Sequence, residues 1–245
     1  MSQVAAAQAP EAMDVSTVLD GLMGRARAAM AAFADADQAR VDEAVTALAW
    51  SIYKPDHAKR LAELAVEDTG LGNVPDKITK NTRKTFGTLR DLMRVRTVGV
   101  IEEIPEKGLV KYAKPVGVVG AVTPSTNPAA TPVNKAMMAL KGGNAIIVAP
   151  SPSGWKTTAL TVDLMRAELV KIGAPEDLIQ VLPHPVTKAL TGALMKAVDL
   201  VVVTGSQNNV RSAYSSGTPA IGVGAGNVPV IIDDLSTWDR LPPRG

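Results

Sequence analysis

Residues 115–150, PVGVVGAVTPSTNPAATPVNKAMMALKGGNAIIVAP, decide the fold. Val116-Gly-Val-Val-Gly-Ala-Val122 is too continuously apolar for a strand with one wet face, so it reads as a central strand covered on both sides. A polar turn follows, and Thr131-Pro132 is expected to open a helix, with Thr131 as N-cap and Pro132 at the first helical position. Val133, Ala136, Met137 and Leu140 recur at helical spacing, Gly142-Gly143 end the helix, and Ala145–Ala149 form the next buried strand. A polar loop held between two apolar strands is where a ligand site is usually built.

The same unit repeats downstream. A helix is expected over Trp155–Ile172, with Gly173 as its stop, then a strand over Leu178–Leu182. Another pair follows, a helix at about 187–197 and a strand over Leu200–Val203. A last helix runs over Gln207–Ser215, before strands near Ala220–Val223 and Val228–Ile232. Such alternation predicts an α/β fold, a Rossmann-like parallel sheet with helices on both faces, over residues 116–233. Upstream, residues 14–96 carry a helical period, with stripes at Val15, Val18, Leu19, Leu22 and at Val41, Ala44, Val45, Leu48, Ile52. Thr69-Gly-Leu-Gly72 stops one helix and Pro75 sits near the start of the next. Residues 97–115 read as a β-hairpin around Pro105-Glu-Lys-Gly108. Residues 1–13 read as a flexible tail and residues 234–245 as an irregular, non-native ending.

Composition narrows the chemistry. Aromatics make up only 3% of the chain against 46% hydrophobic residues, so the core must be built from Ala, Val, Leu, Ile and Met. The net charge of +2, with no long basic block, argues against nucleic acid. Lys80, Arg83, Lys84, Arg90, Arg94 and Arg96 fit a solvated helix face or a subunit contact. There is no cysteine, which excludes disulfides, thiolate-bound zinc and thiol catalysis by these residues. His57 and His184 are the only histidines, so no metal site is expected. No apolar run approaches the roughly 18 residues of a membrane helix, and no signal peptide is expected at the start, which makes the cytoplasm the default location.

Four loops carry candidate chemistry. In Thr123-Pro-Ser-Thr-Asn-Pro128, Asn127 offers a side-chain amide that can polarise a carbonyl, although the same residues also suit a plain turn. Ala149-Pro-Ser-Pro-Ser-Gly154 is small and neutral enough for close approach of a nucleoside, or is an ordinary strand-to-helix loop. In Thr204-Gly-Ser-Gln207, Ser206 can cap a helix whose free N–H groups attract phosphate, or can cap it without a ligand. The glycines of Gly217–Pro229 admit close backbone approach, or serve packing in a twisted strand.

Taken in order, these motifs resemble the aldehyde dehydrogenase superfamily, and within it the CoA-acylating branch. That branch includes acylating acetaldehyde, propionaldehyde and sulfoacetaldehyde dehydrogenases and the N-terminal half of bifunctional aldehyde–alcohol dehydrogenases. The residues that carry the likeness are Glu67–Asn73, Pro124–Pro128, Gly143–Ile147, Gly173–Ile179 and Ala213–Val230, within a span of about 15–234. The resemblance implies an NAD- or NADP-dependent oxidoreductase that makes an acyl-CoA from an aldehyde and CoA, and a homo-oligomer in which the 97–115 hairpin is part of an arm. It implies that Asn127 donates to the oxyanion, that Thr123, Pro124, Ser125 and Thr126 lie by the nicotinamide ribose, and that Ala149, Pro150 and Ser151 meet the adenosine. It further implies that Gly205 and Ser206 meet the pyrophosphate and that Gly224 lies in the glycine-rich strand at the cofactor.

Three departures stand out. Hydrolytic members carry a glutamate base where this chain has Val223, so water is poorly activated and a thiol acceptor fits better. They also usually carry lysine at the Ala149 position, which leaves NAD versus NADP open. The family's nucleophilic cysteine belongs to a second, catalytic domain beyond the glycine-rich strand, and this sequence contains none. The expectation is a cofactor-binding portion without activity of its own, or else a non-catalytic nucleotide-binding or subunit-interaction module.

Overall fold

A computed structural model describes residues 14–224, 226, 229 and 230. The expected tails at 1–13 and 234–245 lie outside the described residues, and of the strand expected near Val228–Ile232 only Pro229 and Val230 are described. Four helices come first: α1 (Val15–Ala32), α2 (Gln38–Tyr53), α3 (Pro55–Thr69) and α4 (Val74–Leu92). Three of them begin on a side chain that accepts a free backbone N–H: Asp14 from Ser16, Asp37 from Arg40 and Asn73 from Asp76. Gly70 ends α3 in the left-handed region at φ 65°, where a side chain would be strained. The predicted stripes are the buried faces, with Leu19, Leu22 and Ala26 on α1 and Val41, Val45, Leu48 and Ile52 on α2.

The hairpin forms as β1 (Gly99–Ile104) and β2 (Leu109–Ala113), paired antiparallel around a 3-10 turn at Pro105–Lys107. Leu109, Val110 and Tyr112 on it are exposed.

The remainder is a five-stranded, all-parallel sheet: β3 (Val118–Thr123), β4 (Ala145–Pro150), β5 (Ile179–Val181), β6 (Leu200–Thr204) and β7 (Ala220–Val223), in the order β5-β4-β3-β6-β7. The crossovers are α5 (Ala130–Lys141), α6 (Trp155–Lys171), α7 (Lys188–Ala197) and α8 (Gln207–Tyr214). The chain builds outward from β3 to β4 and β5, then returns to the other side of β3 for β6 and β7. Right-handed crossovers therefore set α5 and α6 on one face and α7 and α8 on the other. Helix α2 packs over α5 and α6, and α1 packs against α7, β3 and β4. With both faces covered, every residue of β3 and β4 is buried, which explains their unbroken apolar sequence. Among the described residues no helix is long and apolar enough to cross a membrane.

Several boundaries differ from expectation for physical reasons. The central strand starts at Val118 rather than Val116 because its entry is tied down by side chains. Asn144 Oδ1 accepts from the N–H groups of Val116 and Gly117 at 2.7 and 3.1 Å, and Asp199 Oδ2 accepts from Val118 at 2.7 Å. Gly117 has φ 125°, and a Cβ there would lie 2.1 Å from Asp199 Oδ2, so only glycine fits. Thr131 is not an N-cap. Helix α5 begins at Ala130 after Ala129, with no side-chain cap, and Pro132 falls at the third helical position, where an N–H has no intrahelical partner anyway. The segment expected as strand from Leu178 splits into a 3-10 turn, Glu176–Leu178, and the short β5.

Candidate functional site

The strand order reverses at β3. The crevice beyond the carboxyl ends at such a reversal is where open α/β sheets take ligands. There the structure has a cleft of about 840 Å³, within the size range of small-molecule sites. Thr123, Pro124, Ser125 and Thr126 reach it from the end of β3, and Ala149, Pro150 and Ser151 from the end of β4. Gly205 and Ser206 come from the end of β6 and Gly224 from beyond β7. Ten of the eleven residues singled out from the sequence thus share one wall. Asn127 is the exception: it is half-buried, it is absent from the wall, and its carbonyl accepts from Thr131 N–H at the start of α5.

The β3–α5 loop is held from three sides. Thr158 Oγ1 on α6 donates to the Pro128 carbonyl at 2.8 Å, and Lys77 Nζ on α4 donates to the Thr126 carbonyl at 3.3 Å. Gly154 lies so close that a Cβ there would come within 2.9 Å of Pro128 Cβ. Burial, with Lys80 nearby, holds the Lys77 ammonium below its ordinary pKa. Ser151 N–H donates to the Thr123 carbonyl at 3.1 Å, which joins the exits of β3 and β4. At the end of β6, Ser206 caps α8 by accepting from Asn209 N–H at 3.3 Å. That leaves the N–H groups of Gln207 and Asn208 without an intrahelical partner at the cleft.

Sequence reasoning missed two groups. The first turn of α7 contributes Thr187, Lys188, Thr191 and Gly192 to the wall, and α8 contributes Asn208, Asn209 and Ser212. The signal available was position: the starts of both helices follow strand ends at the carboxyl edge. The second is Lys135, on α5 beneath the cleft, 7% exposed, with Nζ donating to the carbonyls of Val122 at 2.9 Å and Val202 at 2.7 Å. Burial alone pulls its pKa down to about 7.

The chemistry of the cleft suits a dinucleotide. It spans the ends of four strands, its lining is rich in small residues, and Ser206, the N-cap of α8, is part of that lining. Thr123 Oγ1 is buried with no hydrogen-bond partner among the described residues, as expected where a ligand completes the set. The residues fit. No group of acidic residues and histidines able to hold a metal ion occurs among the described residues.

Comparison with known proteins gives this geometry a context. The profile of the aldehyde dehydrogenase family matches residues 3–235. An acylating sulfoacetaldehyde dehydrogenase from Cupriavidus necator is 59% identical over 218 residues, covering 89% of this chain and 44% of the relative. An acetylating aldehyde dehydrogenase from Geobacillus thermoglucosidasius superposes with a TM-score of 0.83 at 39% identity, covering 88% of this chain and 47% of that one. A propionaldehyde dehydrogenase from Rhodopseudomonas palustris, solved with bound CoA and an acylated cysteine, gives 0.74 at 29% identity, covering 85% and 47%. The chain therefore spans about half the length of the relatives it matches. A matched profile over nearly the whole sequence, joined to a parallel sheet whose strand ends frame one cleft, shows that the chain belongs to the aldehyde dehydrogenase family.

Proposed function

We propose that this chain is the dinucleotide-binding portion of a CoA-acylating aldehyde dehydrogenase, the enzyme class that converts aldehyde, CoA and NAD(P)+ to acyl-CoA and NAD(P)H. The observation that carries this reading is the convergence of four separate loops on the single cleft at the strand reversal. A bound nicotinamide supplies the hydride acceptor. The chain's own residues bind and orient it. Thr123–Thr126 hold the nicotinamide ribose, with the orphaned Thr123 hydroxyl as a donor. The free N–H groups at the start of α8, beside Gly205 and Ser206, take the pyrophosphate. Ala149, Pro150 and Ser151 receive the adenosine, and Gly224 closes the wall. Asn127 sits one residue beyond the wall, and its amide donates to the substrate oxyanion once a nucleophile is present. With Val223 in the place of a carboxylate base, the residues supplied here favour a thiol acceptor over water.

These 245 residues contain no cysteine. A polypeptide of this sequence is expected to bind the dinucleotide and to turn over no aldehyde. Calorimetric titration of the purified chain tests binding, and absorbance of reduced nicotinamide in the presence of aldehyde and CoA tests turnover. Binding in the micromolar to millimolar range with no absorbance change supports the reading. A CoA-dependent signal overturns it.

A second reading rests on a different observation. The exposed apolar residues Leu109, Val110 and Tyr112 on the β1–β2 hairpin suit a subunit contact, so the chain acts as a non-catalytic interaction module or a homo-oligomer subunit. Loss of self-association in Tyr112→Glu, read by sedimentation velocity, tests it.

A further inference from the structure

We infer that the cleft selects a dinucleotide carrying a phosphate on the adenosine ribose 2′-oxygen, and that Lys188 is the residue that selects it. The inference rests on the dinucleotide reading above and goes beyond it. In doubly wound sheets, the strand beside the first one ends at the adenosine ribose. A carboxylate there accepts from the free 2′-hydroxyl, whereas a basic residue accommodates a 2′-phosphate. Here that strand is β4, and it ends in Ala149-Pro-Ser-Pro-Ser-Gly154, with no carboxylate. The described wall of the whole cleft contains no Asp or Glu, and Lys188 is its one charged residue.

The segment that leads to Lys188 is tied to the end of β4. Leu182 N–H donates to the Val148 carbonyl at 2.8 Å, and Trp155 Nε1 donates to the Leu182 carbonyl at 2.8 Å. His184 lies edge-on to the Trp155 ring, with centroids 5.3 Å apart. The segment leading into α7 is thereby pinned against the residues that follow β4. Thr187 caps α7 by accepting from Leu190 N–H at 3.0 Å, so Lys188 is presented at the first helical position. Its side chain is exposed and makes no ion pair with a described residue. Ser151 and Ser153 hydroxyls, 3.3 Å apart, stand on the β4 side as further donors. A 2′-phosphate carries close to two negative charges and three acceptor oxygens, which this carboxylate-free rim with one cation complements.

Calorimetric titration of the 245-residue chain with NADP+, NAD+, 2′,5′-ADP and 5′-ADP tests this. At low salt, NADP+ is expected to bind about tenfold more tightly than NAD+, with 2′,5′-ADP favoured over 5′-ADP in parallel, the size of one charge-assisted contact. The preference is expected to shrink as salt rises. Lys188→Ala brings the NADP+ to NAD+ ratio close to one, and Lys188→Glu inverts it. Both variants should keep the wild-type melting curve, because the side chain is exposed. NAD+ binding as tightly as NADP+ overturns the inference while leaving the dinucleotide reading intact. An undiminished preference in Lys188→Ala overturns the role of Lys188. Failure of all four ligands to bind overturns the dinucleotide reading itself, and this inference with it.

Discussion

Helix α5 carries two buried lysines, Lys135 at its middle and Lys141 at its last position, and the two are treated in opposite ways. Lys141, 1% exposed near the amino edge of the sheet, pairs with Asp42 of α2. Lys135, beneath the carboxyl edge, has only carbonyl oxygens around its amine and no described carboxylate. A buried charge with its counter-charge is a fastener; a buried amine without one is held in a state that responds to pH. The amino edge is built for permanence, with Asn144, Asp199 and the Lys141 pair fixing strand entries. The carboxyl edge, where the cleft lies, tolerates an orphaned hydroxyl, free helix N–H groups and an unpaired amine. The difference places the unfinished polar chemistry where a ligand can finish it.

Removing the fastener should have the largest effect. Asp42→Ala leaves the Lys141 ammonium buried without its partner and is expected to destabilise the chain by about 3 kcal/mol, measured by urea unfolding. A loss below about 1 kcal/mol would erase the contrast between the two lysines. The next effect is one of pH. The unfolded Lys135 amine keeps its proton up to about 10.5, and the folded one releases it near 7. Between those values the unfolded chain binds more protons, so this group's contribution to stability rises with pH. Relative to Lys135→Met, wild-type stability should climb by about 1.4 kcal/mol per unit between pH 7 and 9. Parallel pH profiles for the two proteins would show that Lys135 titrates normally.

A smaller change sharpens the picture at the cleft. Ser206→Ala removes the α8 cap and should cost about 1 kcal/mol in thermal unfolding, together with a several-fold loss of dinucleotide affinity. The smallest belongs to the amino edge. Arg27 pairs with Asp199 at 3.1 Å with its side chain more than half exposed, so Arg27→Ala should change stability by less than about 0.5 kcal/mol. Asp199 keeps its bond to Val118 N–H in that variant, and that bond, rather than the ion pair, secures the strand.

Much of this was legible in the residues. The run Val116–Val122 and the glycine stops at Gly142-Gly143 and Gly173 announced a doubly covered sheet, because a buried parallel strand has no wet face to mark with polar residues. The loops at Thr123–Thr126, Ala149–Ser151 and Gly205-Ser206 were readable because strand ends in such folds converge. Lys135 and Lys141 were not. Lys135 falls off the stripe of Val133, Ala136, Met137 and Leu140, and Lys141, eight residues after Val133, ends that stripe with a charge that reads as a solvated helix end. Lys141 is buried where α2 packs on α5 and supplies Asp42, and Lys135 is buried because its amine reaches the carbonyls of Val122 and Val202 in the sheet, neither of which a single-helix period encodes. Thr187-Lys188 looked like an ordinary helix start for the same reason, since nothing local reveals that Leu182 and Trp155 pin it beside β4. Thr131 misled because a good capping residue next to proline here lies at the second position of a helix begun by the clamped loop before it.

The bond from Ser151 N–H to the Thr123 carbonyl makes a single platform of two strand exits. Whatever lies across it meets two contact points at a set separation, as on a ruler. On the dinucleotide reading proposed above, a molecule with a shorter or longer bridge between its two nucleoside halves would seat one end and miss the other, so length itself becomes a criterion for admission.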